Sequence, residues 1–329
     1  MSSKLQSQAK WETSFPGFLH RQLIARLPAT PPSTNFANKT AVISGSNTGL
    51  GYELARQMLF LQLPHLILAV RSQSKGESAA RILRTEFPNA TVEVMILDMT
   101  DPSSVVQFAK DCEKLRHLDI AILNAGVQLV AYAQAEKTKH ELSLQVNYLS
   151  TVLLTSLLVP ILTTKRRGPA PARLTVVGSD TMYWAKLPAS LWDLDSPTSD
   201  ASEQYMKTKL LLQQGITRLA ESVDPDYVIL NVANPGFCKG TNMGTSAAEG
   251  IGALLFGLFK KAVGRSIQDG ARANLLAALA GEESHGSFVS EGVIKPWPNC
   301  MYTMTGRAAG ERIWDQTVEE LGLTLGSKN

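Results

Sequence analysis

A doubly wound parallel α/β sheet is predicted by three features of the chain. Short apolar, strand-like runs alternate with helical periodicities from residue 40 to about residue 290. The first run, Thr40-Ala41-Val42-Ile43-Ser44, passes into the glycine-rich turn Gly45-Ser46-Asn47-Thr48-Gly49-Leu50-Gly51, which opens a helical pattern. Later runs end in polar turns, the position at which open α/β sheets bind ligands. With 329 residues and 44% hydrophobic content there is material for one large core, so a single domain is expected over residues 39–295 between extensions 1–38 and 296–329.

Taken in order, residues 1–38 carry a stripe of Trp11, Phe15, Phe18, Leu19, Leu23, Ile24 and Leu27, broken by Pro16 and closed by Pro28, Pro31 and Pro32. The stripe packs either on the body of the protein or its dimer mate, or on a membrane surface or partner. The glycine turn after the first strand suits a pyrophosphate: glycines admit the backbone, and a helix N-terminus offers free N–H groups. Its glycine spacing is three residues and then one, which departs from the G-x-G-x-x-G fingerprint, and a purely structural turn is the alternative. His65 to Val70 reads as the second strand, followed by Arg71 where a carboxylate would favour NAD. Arg71 favours NADP(H) instead, with Ser46 and Asn47 as helpers.

A helix from Lys75 to Phe87 and a strand from Val92 to Leu97 follow, ending in Asp98-Met99. Asp98 is either a ligand contact at a strand end or the cap of the helix after Pro102. A helix near Ser103 to Leu115 leads to the strand Leu118 to Leu123 and the turn Asn124-Ala125-Gly126. His140 to Thr163 is a long helix, apolar almost all round and therefore expected to be buried on both sides. The strand Arg173 to Val177 ends in Gly178-Ser179, and Val228 to Val232 ends in Asn234-Pro235-Gly236. Between Ser179 and Tyr205, Trp184 and Trp192 either wall a pocket or pack a loop. Thr241 to Gly264 is glycine-rich and apolar, Ser266 to Ala280 reads as a helix and Ser287 to Ser290 as a last strand. The region beyond, with Trp297, Trp314 and helical periodicity near Ala308 to Leu321, has no assignment.

Composition excludes several classes. Net charge is +3 and no basic block is interleaved with aromatics, so nucleic acid is not an expected partner. Cys112, Cys238 and Cys300 are odd in number and far apart, which fits a reducing compartment and no metal cluster. The first ten residues are polar and lack the apolar core of a signal peptide. A soluble, cytoplasmic protein is expected, with no membrane association.

Chemistry is carried by Tyr205-Met206-Lys207-Thr208-Lys209. On a helix, Tyr205 and Lys209 share a face, a spacing that no other tyrosine of the chain has with a lysine. A phenol titrates near 10, and a neighbouring ammonium that brought it to about 7 would supply roughly 4 kcal/mol of differential stabilisation. Such a tyrosine exchanges a proton with a carbonyl or alcohol oxygen.

With Gly45, Gly49 and Gly51, Asp98, Asn124-Ala125-Gly126, Asn147, Ser179, and Tyr205 with Lys209, the chain resembles a classical short-chain dehydrogenase/reductase over roughly residues 38–295. Ser44 to Gly51, Leu68 to Arg71 and Glu283-Ser284-His285-Gly286 are similar to the retinol-dehydrogenase-like group and its fungal, secondary-metabolite-type members. The resemblance implies a Rossmann fold and a catalytic set of Ser179, Tyr205, Lys209 and Asn147. Asn147 would support a water chain to Lys209. The implied cofactor contacts are Gly45, Ser46, Asn47, Gly49, Leu50, Gly51, Arg71, Asp98, Asn124, Ala125, Gly126, Tyr205, Lys209, Pro235, Gly236 and Thr241. At the usual place of a carboxamide-binding hydroxyl stands Gly240, with Thr241 one residue later.

A substrate-covering segment at about 237–264 and a homodimer through the Asn147 and Tyr205 helices are further implications. The function implied is reduction of a ketone or aldehyde on a hydrophobic molecule by NADPH, or the reverse alcohol oxidation. The alternatives are an isomerase or cyclase on the same scaffold without net NADP(H) consumption, and a non-catalytic NADPH sensor.

Overall fold

The five residues of β1 (Thr40–Ser44) are buried without exception, as a strand covered by helices on both faces requires. The computed structural model describes residues 1–186, Leu194, 200–240 and 251–323. Ahead of β1 lie α1 (Gln6–Thr13) and α2 (Phe15–Leu19), the latter continuing into a π turn over His20–Ile24. Then follow α3 (Gly49–Phe60), β2 (His65–Val70), α4 (Gln73–Glu86), β3 (Thr91–Ile96), α5 (Pro102–Glu113) and β4 (Ile120–Leu123). The next elements are α6 (Leu142–Leu144), α7 (Ser150–Lys165), β5 (Ala172–Val177), α8 (Ala201–Ala220), β6 (Val228–Asn234), α9 (Ile251–Val263) and α10 (Ile267–Leu279). The chain closes with β7 (Phe288–Ser290), β8 (Val293–Lys295) and α11 (Met304–Leu321).

Among the described residues the strands form one eight-stranded sheet in the order β3-β2-β1-β4-β5-β6-β7-β8. The pairs are parallel from β3 to β7, and β8 closes the edge antiparallel to β7. Ile43 faces Leu68 on one side and Ile122 on the other. Strand order reverses at β1, and this opens a crevice between the loops after β1 and β4. One apolar core lies on the side of α5, α7 and α8, and a second on the side of α3, α4 and α10. The doubly wound prediction is therefore met.

Local chemistry sets the helix starts. Ser72 accepts the Lys75 N–H at α4, Asp200 the Ser202 N–H at α8, and Ser266 the Asp269 N–H at α10. At α5, Pro102 occupies the first turn and Asp101 accepts the Ser103 N–H. The helix cap, one of the two readings of Asp98, thus belongs to Asp101.

Two expectations need correction. The helix placed over His140 to Thr163 is interrupted by a π turn, Gln145–Leu149, which carries Asn147. It is mostly buried, although Leu142–Lys165 is long and apolar enough to span a membrane. The apolar stripe of the N-terminal segment does not face inward as a unit: Phe18 is buried, whereas Trp11, Phe15, Leu23 and Ile24 are exposed. Its inward residues include the polar Glu12, Arg21 and Gln22, because their partners lie on the body of the domain. The unassigned C-terminal region contains α11, which places Ile313 and Trp314 in the core beside α8. Thr317 bonds the Tyr148 hydroxyl at 2.7 Å, and Gly306 and Gly322 stand at the two ends of the helix. Consequently Leu210 to Gln214 are all buried within one chain. α11 thus covers part of α8 within the chain.

Candidate active site

A cavity of about 890 Å³ opens at the carboxyl ends of the strands, lined by the turns after β1, β2, β3, β4, β5 and β6. In the β1 turn, Gly45 and Gly49 take left-handed backbone angles, φ +64° and +60°. A Cβ on Gly45 would meet the Ala125 Cα at 2.9 Å, and one on Gly51 would meet the Asn124 Nδ2 and the Gly45 carbonyl at 2.5 Å. Glycine is therefore demanded by close approach of the β4 turn. Gly45, Asn47, Thr48, Gly49 and Leu50 line the cavity, where the first turn of α3 presents backbone N–H groups suited to an anion.

Two residues of this turn have other roles than expected. The Ser46 hydroxyl is fully buried and donates to the Ile43 carbonyl at 2.8 Å, so it faces the strand and not the cavity. Gly51 lies behind the lining, its role being the contact with Asn124. Thr48, which the sequence reading left out, lines the cavity.

Further along the crevice, Arg71 is exposed at its wall with Val70 beside it. Asp98 lines the cavity and accepts the Thr100 N–H and hydroxyl at 2.9 and 2.8 Å. The Asn124 amide donates to the Ser44 and Gly45 carbonyls at 3.1 and 3.2 Å, and the Ala125 N–H donates to Ser44 Oγ at 2.9 Å. These bonds join β1 to β4 where the crevice opens. Ala125, Gly126, Pro235 and Gly236 complete this part of the lining.

Deeper in, Tyr205 and Lys209 lie side by side on α8, the ammonium 5.8 Å from the ring centroid. Tyr205 lines the cavity together with Ser179, at the end of β5. Ser179 Oγ accepts the Thr181 hydroxyl at 2.9 Å. Lys209 donates to the Val177 carbonyl at 3.0 Å. Within the π turn, the Asn147 amide donates to the Val127 carbonyl and accepts the Val127 N–H, both at 2.8 Å, and reaches Thr208 Oγ1 at 3.2 Å. Asn147 thus ties the loop after β4 to α8. Thr241 and Trp192 lie outside the described residues, as do residues 241–250 of the covering segment; α9 forms the remainder of that segment.

Electrostatics depart from the lysine-lowered tyrosine expected from spacing. Lys209 donates its ammonium hydrogen to the Val177 carbonyl. Burial is the largest influence on Tyr205 and pushes its pKa well above 10, opposed by the neighbouring Ser179 hydroxyl. The phenol is therefore protonated at neutral pH, as a proton donor must be. Burial also pushes Lys209 down to about 8 from 10.5.

A lysine whose folded pKa lies below its unfolded one destabilises the fold while both states are charged. That cost, about 3 kcal/mol, is complete below about pH 8 and fades as pH rises to 10.5. Lys209→Met removes it, at the expense of one hydrogen bond worth about 1 kcal/mol. The variant is expected to melt above wild type at neutral pH, with the gap closing toward pH 10.5, as thermal denaturation at stepped pH will read.

Several lining residues were not singled out in the sequence for a role at the site: Phe15 and Phe18 from the N-terminal segment, Thr181, and Met206 on α8. Only the two phenylalanines left a trace, as members of the apolar stripe.

Comparison with known proteins adds the following. A family model described as short chain dehydrogenase matches residues 39–170. Short chain dehydrogenase virL of Hypocrea virens is 42% identical over 346 residues, covering 100% of this chain and 98% of its own. Short chain dehydrogenase opdN of Penicillium oxalicum is 44% identical over 317 residues, covering 90% of this chain and 100% of its own. A crystal structure of an uncharacterized protein from Mycobacterium paratuberculosis superposes with a TM-score of 0.62 at 24% identity, over 89% of this chain and 97% of that one.

Proposed function

The chain belongs to the short-chain dehydrogenase/reductase family and is an NAD(P)-dependent oxidoreductase, and on that premise we propose that it is an NADPH-dependent reductase of a ketone or aldehyde on a hydrophobic molecule of the secondary-metabolite kind. The observation that carries the proposal is the convergence of Ser179, Tyr205 and Lys209 on one cavity, with the Lys209 ammonium 5.8 Å from the Tyr205 ring, at the end of a crevice that begins in a glycine-lined helix N-terminus.

The crevice fits a dinucleotide. Gly45 and Gly51 leave backbone where a Cβ would clash, and the start of α3 suits the pyrophosphate. Asp98 and the turn Asn124-Ala125-Gly126 line the length between that end and Lys209. When bound, the reduced nicotinamide supplies hydride to the carbonyl carbon. Tyr205 donates its proton to the developing alkoxide, and Ser179 holds that oxygen through its hydroxyl. Lys209 adds positive charge below the phenol and holds ribose hydroxyls. Asn147 keeps the loop after β4 and α8 in register, supporting proton delivery toward Lys209.

Preference for NADPH is supported by Arg71, an exposed cation at the end of β2 with no carboxylate in the place that would bind the ribose hydroxyls. A charged hydrogen bond to the 2′-phosphate contributes about 1.5–3 kcal/mol. Arg71→Ala is therefore expected to raise KM for NADPH by about 10- to 100-fold and to leave KM for NADH nearly constant. Equal changes for both cofactors would place the discrimination elsewhere. The reductase reading itself is tested by following the absorbance of NADPH with a panel of hydrophobic carbonyl compounds. Binding of NADPH without consumption would favour an isomerase or a sensor.

A further inference from the structure

Phe18 lies in α2, about 160 residues before Ser179 in sequence, yet both line the same cavity. Ser14 accepts the Gly17 N–H at 3.0 Å and starts α2, and the two-helix turn directs Phe18 inward. Its ring meets Trp184 edge-on at 5.2 Å between centroids and Phe237 at 6.4 Å; Phe237 in turn meets Phe259 at 6.1 Å. All four rings line the cavity. They come from four separate parts of the chain: α2, the segment after β5, the turn after β6, and α9.

The N-terminal segment is bolted to the catalytic turns rather than laid over them. Gln22 pairs with both main-chain groups of Phe237, donating to its carbonyl at 3.0 Å and accepting its N–H at 3.2 Å. Phe237 directly follows Gly236 of the cavity lining. Arg21 pairs with Asp180, the neighbour of Ser179, at 3.2 Å. The Arg21 carbonyl accepts Arg265 Nη2 at 2.6 Å, and the Thr13 carbonyl accepts the Trp184 indole N–H at 3.0 Å. Asp180, which also lines the cavity, is thereby neutralised by Arg21.

We infer that the N-terminal segment forms the substrate wall of this enzyme, and that Phe18, with Trp184, Phe237 and Phe259, selects a flat aromatic carbonyl compound. The inference rests on the reductase reading of the same site and deepens it by naming the substrate class. Rings prefer edge-to-face or offset stacking partners, which a planar aromatic substrate offers and a small aliphatic one does not.

The test compares phenanthrenequinone with diacetyl, two diketones that differ in aromatic surface, using NADPH and the full chain. The ratio of their kcat/KM values is expected to fall about tenfold in Phe18→Ala, the order of one lost aromatic pair. Phe18→Tyr should restore the ratio, and Phe18→Leu, which fills space without a ring, should not. An unchanged ratio in Phe18→Ala, or full restoration by leucine, overturns the inference. Should Phe18→Ala fail to fold, Trp184→Leu on the opposing ring is read in the same way. If wild type consumes NADPH with neither diketone, the reductase reading fails for these probes. Calorimetric titration of phenanthrenequinone into wild type and Phe18→Leu then decides the wall, equal affinities overturning it and a weaker variant supporting it.

Discussion

Tyr205→Phe is expected to lower kcat for carbonyl reduction by about 10²- to 10⁴-fold, the usual worth of a positioned general acid. Phenylalanine keeps the buried ring and its packing beside Lys209, so the loss is confined to the hydroxyl. Nothing in the glycine turn or at Arg71 touches that hydroxyl. Fluorescence titration should therefore find NADPH bound by the variant while the absorbance assay finds it almost unconsumed. Turnover within a few-fold of wild type would show that another group delivers the proton. Because burial pushes the Tyr205 pKa upward, wild type holds this proton throughout the neutral range, and its loss in the variant should be felt at every pH assayed there.

For stability, the largest expected single-residue effect is at Arg21. Its guanidinium is 1% exposed and meets Glu12 at 2.6 Å and Asp180 at 3.2 Å, with both carboxylates buried. It also lies over the Tyr183 ring, 5.2 Å from the centroid. Arg21→Met preserves apolar volume and leaves two buried carboxylates, of which only Glu12 retains a cation, Lys295 at 2.8 Å. Breaking a buried ion pair on one side costs about 3–5 kcal/mol. Chemical denaturation should show the free energy of unfolding lowered by that amount, and Arg21→Lys, which lacks the planar fork, should recover only part. A loss below 1 kcal/mol would mean that water reaches the two acids. Asp180 adjoins Ser179, so kcat/KM is expected to fall in the folded fraction as well.

Legibility in the sequence followed distance along the chain. The parallel sheet, the glycine turn and the pairing of Tyr205 with Lys209 depend on residues a few positions apart, whose periods and spacings carry the signal. Even there, side-chain direction was hidden. Ser46 faces the strand although its neighbours line the cavity, and the cap assigned as one option to Asp98 belongs to Asp101, three residues on. The direction of the Tyr205 pKa shift was missed because spacing reveals the nearby lysine but not the burial that outweighs it. Glu12, Arg21 and Gln22 were unreadable for a different reason: polar residues on an exposed-looking segment have no period, and their partners are Asp180, Phe237 and Lys295. α11 showed its helical pattern, but not the surface it covers.

Those long-range partners also set an order of assembly. Arg21 is separated from Asp180 by 159 residues, Gln22 from Phe237 by 215, and the Arg21 carbonyl from Arg265 by 244. Contacts of such separation close large loops and form after local ones. During synthesis the segment carrying Phe18 leaves the ribosome ahead of every group that anchors it, and it must wait until the chain is almost finished. Strands β1 to β4 and the glycine turn, made of neighbours in the first half of the chain, are complete earlier, before Tyr205, Lys209, Pro235 and Gly236 join the cavity. A growing chain can thus assemble the glycine turn at one end of the cavity well before the Phe18 segment closes the other, and residues made early are among the last to be placed.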